Sequence, residues 1–319
     1  MRHAIAHLPV SFFSMAVGTL AWGQSWQAAA LVWPLPAALV AWASALGLVV
    51  WLVLLAIYAF KCWAQPKRVQ AEFNHPVQSA LTALLPVSTL LAALSCKPWA
   101  PTLAWCLLGL GLVAQLTLGL WAVGRFWQGG RAPESVNASM YLPGVAQNFV
   151  AATASASFGW TALGGLFCGA GLFSWLALES LVLSRAALHP ALDVGQRPLQ
   201  GIQIAPAVVG GLSYLSLTSG PPDLVAQMLL GYGLYQVLLA VRLGRWTTQA
   251  VFAPSYWAFS FGVMALASMA LRMWARAPDE GLWQILAPVT WGMANLFFAV
   301  LLWHTVRLAL QGRLLPTAP

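Results

Sequence analysis

Between Arg2 and Lys61 the chain carries no charged residue. That gap leaves room for two membrane spans of about 20 residues each. The rest of the sequence has the same character: 7% of its 319 residues are charged and 60% are hydrophobic, whereas a soluble domain carries roughly 25% charged residues. The apolar runs are continuous rather than alternating, which argues for helices and against a transmembrane β-barrel. The chain reads as a polytopic, all-α membrane protein.

The stretch Leu8–Trp22 follows Arg2 but has no clean small-x-small cleavage site. It also holds Pro9, Ser11, Ser14 and Thr19, so it reads as a span and not as a leader. Cys62, Cys96, Cys106 and Cys168 form no CxxC and no Cys/His pair at metal spacing. They are read as scattered small apolar residues, with no metal or cofactor expected.

Ten spans are expected: Leu8–Trp22, Pro36–Phe60, Pro76–Leu94, Trp99–Val123, Tyr141–Phe158, Trp160–Leu183, Leu199–Leu217, Pro222–Val241, Pro254–Leu271 and Leu282–Leu310. With this count the 15 basic residues sort twelve against three, and only Lys97, Arg272 and Arg276 fall on the minority side. Cytoplasmic loops are the basic ones, so both termini are placed in the cytoplasm. The net charge of +8 is thereby explained by orientation in a lipid bilayer, and no nucleic-acid partner is expected. Short outer loops, such as Gly159 and Ser219–Pro221, pair the spans into five helical hairpins. No linker divides residues 1–319, which read as a single transmembrane domain.

Odd and even spans differ. The even ones are mostly Leu, Val, Ala and Trp, which suits contact with lipid. Each odd one carries a stripe of small or polar residues at helical spacing. The stripes are Ser11, Ser14, Gly18, Ala21; Ser79, Thr82, Pro86, Thr89; Asn148, Ala152, Ser155; Gln203, Pro206, Gly210, Ser213; and Ala258, Phe261, Ala265, Ser268. Hydroxyls and amides avoid lipid, so these faces meet either a neighbouring helix or water. Five such helices in a ring would enclose a central pore. On that reading Ser14, Gly18, Thr82, Thr89, Asn148, Ser155, Gly210, Ser213, Ala265 and Ser268 line it. Pro9, Pro86, Pro143 and Pro206 mark bends in the odd spans, since an internal proline removes a backbone hydrogen bond.

The odd spans contain no Asp, Glu, Lys or Arg in their interiors. Cation pathways use acidic linings and proton-coupled carriers use chains of acids or histidines. Glu179, toward the inner end of the sixth span, is the one intramembrane acid available for proton coupling, and ion pairing or snorkelling explains it as well. His304 reads as interfacial. A neutral pore with basic residues at its inner mouth favours small inorganic or organic anions, bound weakly enough to leave. Phe261 is the one bulky member of the stripes. Its ring would occlude the pore and open it by rotating about χ1. A membrane-embedded enzyme would need a cluster of acids, histidines or a nucleophile–base pair, and the sequence offers none.

Several segments together carry a resemblance: Ala71-Glu72-Phe73-Asn74-His75-Pro76-Val77, Trp127-Gln128-Gly129-Gly130, Tyr141-Leu142-Pro143, Asn148-Phe149, Gly169-Ala170-Gly171, Ala205-Pro206-Ala207, Gly231-Tyr232-Gly233 and Trp257-Ala258-Phe259-Ser260-Phe261-Gly262. In order and spacing the chain resembles the tellurite-resistance/dicarboxylate transporter (TehA-type) family, whose plant relatives are the slow anion channels of guard cells. The resemblance implies ten helices in five hairpins around a central pore, a homotrimer with one pore per subunit, a bacterial inner membrane location, and a phenylalanine gate in helix nine. By motif position the gate falls on Phe261 rather than Phe259. It leaves a proton-coupled dicarboxylate or oxyanion transporter as the alternative activity, with Glu179 or His75 as the coupling group. Gly262 stands where the plant channels have proline, and the long regulatory tails of those channels are not seen in this sequence, so tail phosphorylation is not expected to control it.

Overall fold

The computed structural model describes residues 8–315; Arg2 and both termini lie outside that range. We label ten helices: α1 (Phe13–Ala29), α2 (Ala37–Ala64), α3 (Leu84–Cys96), α4 (Pro101–Trp127), α5 (Gln147–Ser157), α6 (Thr161–Leu188), α7 (Ala205–Leu217), α8 (Leu224–Arg242), α9 (Ser260–Arg276) and α10 (Gly281–Leu310). A further amphipathic helix, Pro66–Asn74, links α2 to the turn before α3. Among the described residues seven helices are long and apolar enough to cross a membrane. The remaining three expected spans correspond to α1, α5 and α7, with 17, 11 and 13 α-helical residues.

Those three are short for a local reason. Every odd helix is preceded by a separate short segment, differently wound in four of the five cases. A 3-10 turn, Val10–Phe12, leads into α1, and the short helix Gln78–Leu81 breaks before α3. A π-helical turn, Leu142–Ala146, leads into α5. The 3-10 segments Val194–Ile204 and Pro254–Phe259 precede α7 and α9. The prolines sit at these transitions. Pro9 precedes the first 3-10 turn, Pro143 lies in the π-turn, and Pro206 is in the first turn of α7. Pro86 is the third residue of α3. A proline in a first turn gives up an N–H that had no partner anyway. Where bends were expected, three of these prolines stand at changes of winding and Pro86 stands in the first turn of α3.

The odd helices pack against one another in a closed cycle, α1 on α3, α3 on α5, α5 on α7, α7 on α9 and α9 on α1, and each also packs on the even helix that follows it. The even helices α2, α4, α6, α8 and α10 have only 22–39% of their most apolar stretch buried, against 89% for the span ending in α3. Their exposed leucines, valines and tryptophans suit lipid contact. Each even helix also has one basic residue in its last turn: Lys61, Arg125, Arg185, Arg242 and Arg307. A cation there complements the helix dipole and marks one end of the bundle, called here the basic end.

The even helices are less uniform than their composition suggests. Polar side chains reach inward from them. Gln27 Nε2 of α1 donates to Ser44 Oγ of α2 at 2.9 Å, and Gln115 Nε2 of α4 donates to Asn148 Oδ1 of α5 at 3.2 Å. Asn295 Oδ1 of α10 accepts from the indoles of Trp22 and Trp26 at 2.8 and 3.0 Å. At the end opposite the basic one, the Tyr214 hydroxyl and the Ala226 N–H bond to Asp223, which caps α8, and together hold its carboxyl below the usual range.

Close packing depends on glycine at a few crossings. Phe149 of α5 is 1% exposed and lies between Gly171 of α6 and Gly210 of α7. A Cβ at Gly210 would stand 2.9 Å from Phe149 Cζ, and one at Gly171 2.8 Å from its Cδ1. Neither neighbour is a flexible chain end. Gly210→Ala is expected to destabilise the protein by about 1–3 kcal/mol, the cost of overpacking a filled interior. Thermal unfolding of the detergent-solubilised protein checks this; an unchanged Tm would mean that α5 and α7 separate freely.

Candidate functional site

A cavity of about 270 Å³ lies on the axis of the odd helices, toward the basic end. All five odd units supply its wall. Ser11, Ser14 and Val17 come from the first, Gln78, Leu81, Leu84 and Val87 from the second, and Leu142 from the third. Leu199, Ile202 and Ala205 come from the fourth, and Ser255, Trp257, Ala258 and Phe261 from the fifth. His75, Val77, Gly195 and Gln196 complete it, so the lining holds no carboxylate, lysine or arginine. The wall is mostly aliphatic, with serine and glutamine at intervals.

The placement of the α-helix starts follows from the changes of winding. Ser14, Leu84, Ala205 and Phe261 are each the first or second residue of an α-helix and each faces the cavity. Four helix N-termini thus converge on it. Their first N–H groups are already paired with the preceding turns, Phe13 with Val10 O, Leu85 with Thr82 O, Ala205 with Ile202 O and Ser260 with Trp257 O, so what each brings is the positive end of its dipole. The dipoles favour negative charge in a cavity whose lining contains no lysine or arginine.

Phe261 is half-buried and ends the α9 contribution to the lining. One and two turns further along, Ala265 and Ser268 are 2% and 4% exposed and are not part of the cavity wall. The backbone on either side of Phe261 is held. A Cβ at Gly18 of α1 would fall 2.2 Å from Ser260 Oγ, and one at Gly262 would fall 2.7 Å from Ile204 Cβ. Ser260 Oγ bonds to Trp257 O at 2.6 Å. Trp257 is itself 2% exposed and donates through Nε1 to Thr305 Oγ1 of α10 at 2.9 Å. With α9 clamped on both sides, side-chain rotation is the low-cost movement left to the ring.

The expected lining residues divide. The structure places Ser14 and Phe261 at the cavity and the others elsewhere. Thr82 Oγ1 donates to Ser79 O at 2.7 Å, Thr89 Oγ1 to Leu85 O at 2.9 Å and Ser268 Oγ to Met264 O at 2.9 Å. A hydroxyl satisfied by its own helix has no need of water, so these residues mark packing faces. Gly18 and Gly210 are contact points between odd helices. Asn148 turns toward Gln115 and also donates to Gly144 O at 2.8 Å. Ser155 and Ser213 are 0% exposed, and their hydroxyls have no partner. In the second, third and fourth odd units the cavity face is rotated from the polar stripe and carries Leu81, Leu84, Leu142, Leu199 and Ile202.

Glu179 is not part of the cavity wall. Its carboxylate accepts from Tyr141 Oη at 2.6 Å, Trp175 Nε1 at 2.9 Å, Tyr232 Oη at 2.5 Å and Gln203 Nε2 at 3.5 Å. It therefore ties together the start of α5, α6, α8 and the segment before α7. His75 stands at the cavity rim, where its Nδ1 accepts from the backbone N–H groups of Val77 and Gln78 at 3.1 and 3.2 Å.

Beside the rim, a hollow of about 280 Å³ shares His75 and Gln78 with the cavity and is also lined by Lys61, Arg68, Ala71 and Glu72. Here Lys61 Nζ lies 2.6 Å from Glu72 Oε1, with the two side chains 3% and 13% exposed. Lys61 also donates to Leu8 O at 2.8 Å, and Glu72 accepts from Val10 N at 3.1 Å and Tyr58 Oη at 3.2 Å. This network anchors the start of the first odd unit. Among the described residues no three His, Cys, Asp or Glu side chains gather at metal-binding range.

The sequence matches the family described as SLAC1, voltage-dependent anion channel, over residues 7–306. It is also 34% identical over 267 residues to the tellurite resistance protein TehA homolog of Haemophilus influenzae, covering 82% of this chain and 80% of that protein. A helical bundle with an uncharged axial cavity accords with that match, and this chain belongs to the SLAC1/TehA family of anion channels and transporter-like proteins.

Proposed function

We propose that this protein is an anion-selective channel, or a channel-like transporter, whose pore follows the axis of the odd helices and is occluded by Phe261. The observation that carries the proposal is the electrostatic character of the cavity: four helix N-termini converge on a lining with no acidic residue. Such a site attracts anions through backbone dipoles yet holds no fixed counter-charge that would trap them, as conduction requires. Beyond Phe261 the unpartnered hydroxyls of Ser155 and Ser213 are donors that a passing anion or its water could use. In this reading the ten helices form ten spans in five hairpins, within one transmembrane domain of residues 1–319. The basic end is cytoplasmic, the membrane is a bacterial inner membrane, and three copies assemble with one pore each.

Reversal potentials of the reconstituted protein in a potassium chloride gradient test the reading. Currents reversing near the chloride equilibrium potential are expected; reversal near that of potassium would end it. The second reading is a proton-coupled dicarboxylate or oxyanion carrier, prompted by the tellurite resistance homolog among the relatives. Glu179→Gln separates the two. Its oxygens already take four hydrogen bonds outside the cavity. The substitution is expected to lower stability by about 1–3 kcal/mol while leaving anion flux independent of the pH gradient. Loss of a pH-driven flux in Glu179→Gln would favour the carrier.

A further inference from the structure

Three basic residues stand at the end of the bundle opposite the basic one, and they are not equivalent. Lys97 donates to Ser157 O, the last carbonyl of α5, and Arg276 donates to Leu215 O in the last turn of α7 and to Thr218 Oγ1. Both therefore cap helix C-termini, where unpaired carbonyls and the negative end of the dipole favour a cation. Arg272 does neither. Among the described residues it has no hydrogen bond and no carboxylate within ion-pair range, and the charged group that acts on it is Arg276, of like sign.

Its position is informative. Arg272 follows Phe261, Ala265 and Ser268 at spacings of four, three and four residues, so it lies on the same face of α9, about 16 Å beyond the ring along the helix axis. Along that face the side chains pass from half-buried at Phe261, through 2% and 4% exposure, to half-buried again at Arg272. A half-buried guanidinium without a partner is costly, and the neighbouring cation adds to the cost. A mobile anion removes both penalties.

We propose that Arg272 is an anion-binding residue at the mouth opposite the cavity. It would take small anions as they enter or leave, and favour planar oxyanions such as nitrate or a carboxylate, which its fork can bind in bidentate fashion. This rests on the pore reading above, with α9 as part of the wall. It also gives a role to a basic residue on the side of the chain with few of them: five odd helices end there, and their C-terminal dipoles would otherwise repel anions.

Two measurements test it, one independent of conduction. Sodium nitrate is expected to raise the Tm of the purified full chain more than sodium chloride does. That difference should disappear in Arg272→Gln and shrink in Arg272→Lys, which keeps the charge without the fork. Equal nitrate shifts in wild type and Arg272→Gln overturn the proposal, whatever the channel conducts. In planar bilayers on the Phe261→Ala background, Arg272→Gln is expected to raise the half-saturating nitrate concentration roughly fivefold, the effect of one charge in a wet site, on one face of the membrane only. An unchanged dependence on both faces also overturns it. Should Phe261→Ala pass no anion current while the nitrate shift still depends on Arg272, the pore reading fails and the binding assignment stands.

Discussion

Replacing Phe261 with alanine is expected to raise the anion conductance of the reconstituted protein by roughly a hundredfold. In the proposed pore the ring closes a path that is otherwise open to anions, and an apolar constriction stops an ion by denying it water. Relieving about 3 kcal/mol of that barrier corresponds to a hundredfold in rate. The side chain is half-buried, in contrast to Phe149 at 1% exposure, so its removal should cost less stability than the roughly 3–5 kcal/mol typical of a core phenylalanine. Single-channel recording with chloride, nitrate and malate reads the effect. Phe261→Leu should give an intermediate conductance, because it leaves a shorter apolar plug on the same clamped backbone. Wild-type conductance in Phe261→Ala would show that closure lies elsewhere, with the 2% and 4% exposed Ala265 and Ser268 the next place to look.

The largest loss of stability is expected from Glu72→Ala. Removing this carboxylate leaves Lys61 charged and 3% exposed, with Leu8 O as its remaining acceptor, and deprives Val10 N and Tyr58 Oη of theirs. Breaking a buried pair from one side costs about 3–5 kcal/mol. The double variant Lys61→Met/Glu72→Leu should recover most of that, since it leaves no charge unpaired. Denaturation of wild type, Lys61→Met, Glu72→Leu and the double variant measures the coupling; near-additive losses would mean that the pair contributes little. The first odd unit begins at this network, so Glu72→Ala should also loosen the cavity rim formed by Ser11 and Ser14.

What the sequence disclosed depended on contrast and on distance along the chain. Phe261 was legible because a large ring stood among Ala258, Ala265 and Ser268. Ser14 stood out because it shares one helical stripe with Ser11, Gly18 and Ala21. The rotated faces of the middle units were not, because Thr82 and Thr89 carry the visible polarity and spend it on carbonyls three and four residues back. The aliphatic residues that do face the cavity look like any other membrane leucines. The inward-turned Asn295 was likewise hidden, since its partner Trp22 lies 273 residues away in sequence. Glu179 stood out as an intramembrane acid, but nothing local to it announced that Tyr141, Tyr232 and Gln203 would converge on its oxygens. The seven long helices follow directly from hydropathy. The units of α5 and α7 were expected as spans, but how short their α-helices are was not legible, because a five-residue π-turn and an eleven-residue 3-10 segment take up the beginning of each.

The depth of the cavity also bears on how the protein would respond to voltage. In the proposed pore, water would reach the Phe261 ring from the basic end and Arg272 from the other, and the transmembrane potential would fall across the closed length between them, about 16 Å by helical rise, instead of the full hydrocarbon thickness of about 30 Å. The field there would be about twice that in the surrounding lipid. An ion stepping past the ring would traverse nearly all of the potential in that one short interval, worth about 2.3 kcal/mol per elementary charge for each 100 mV.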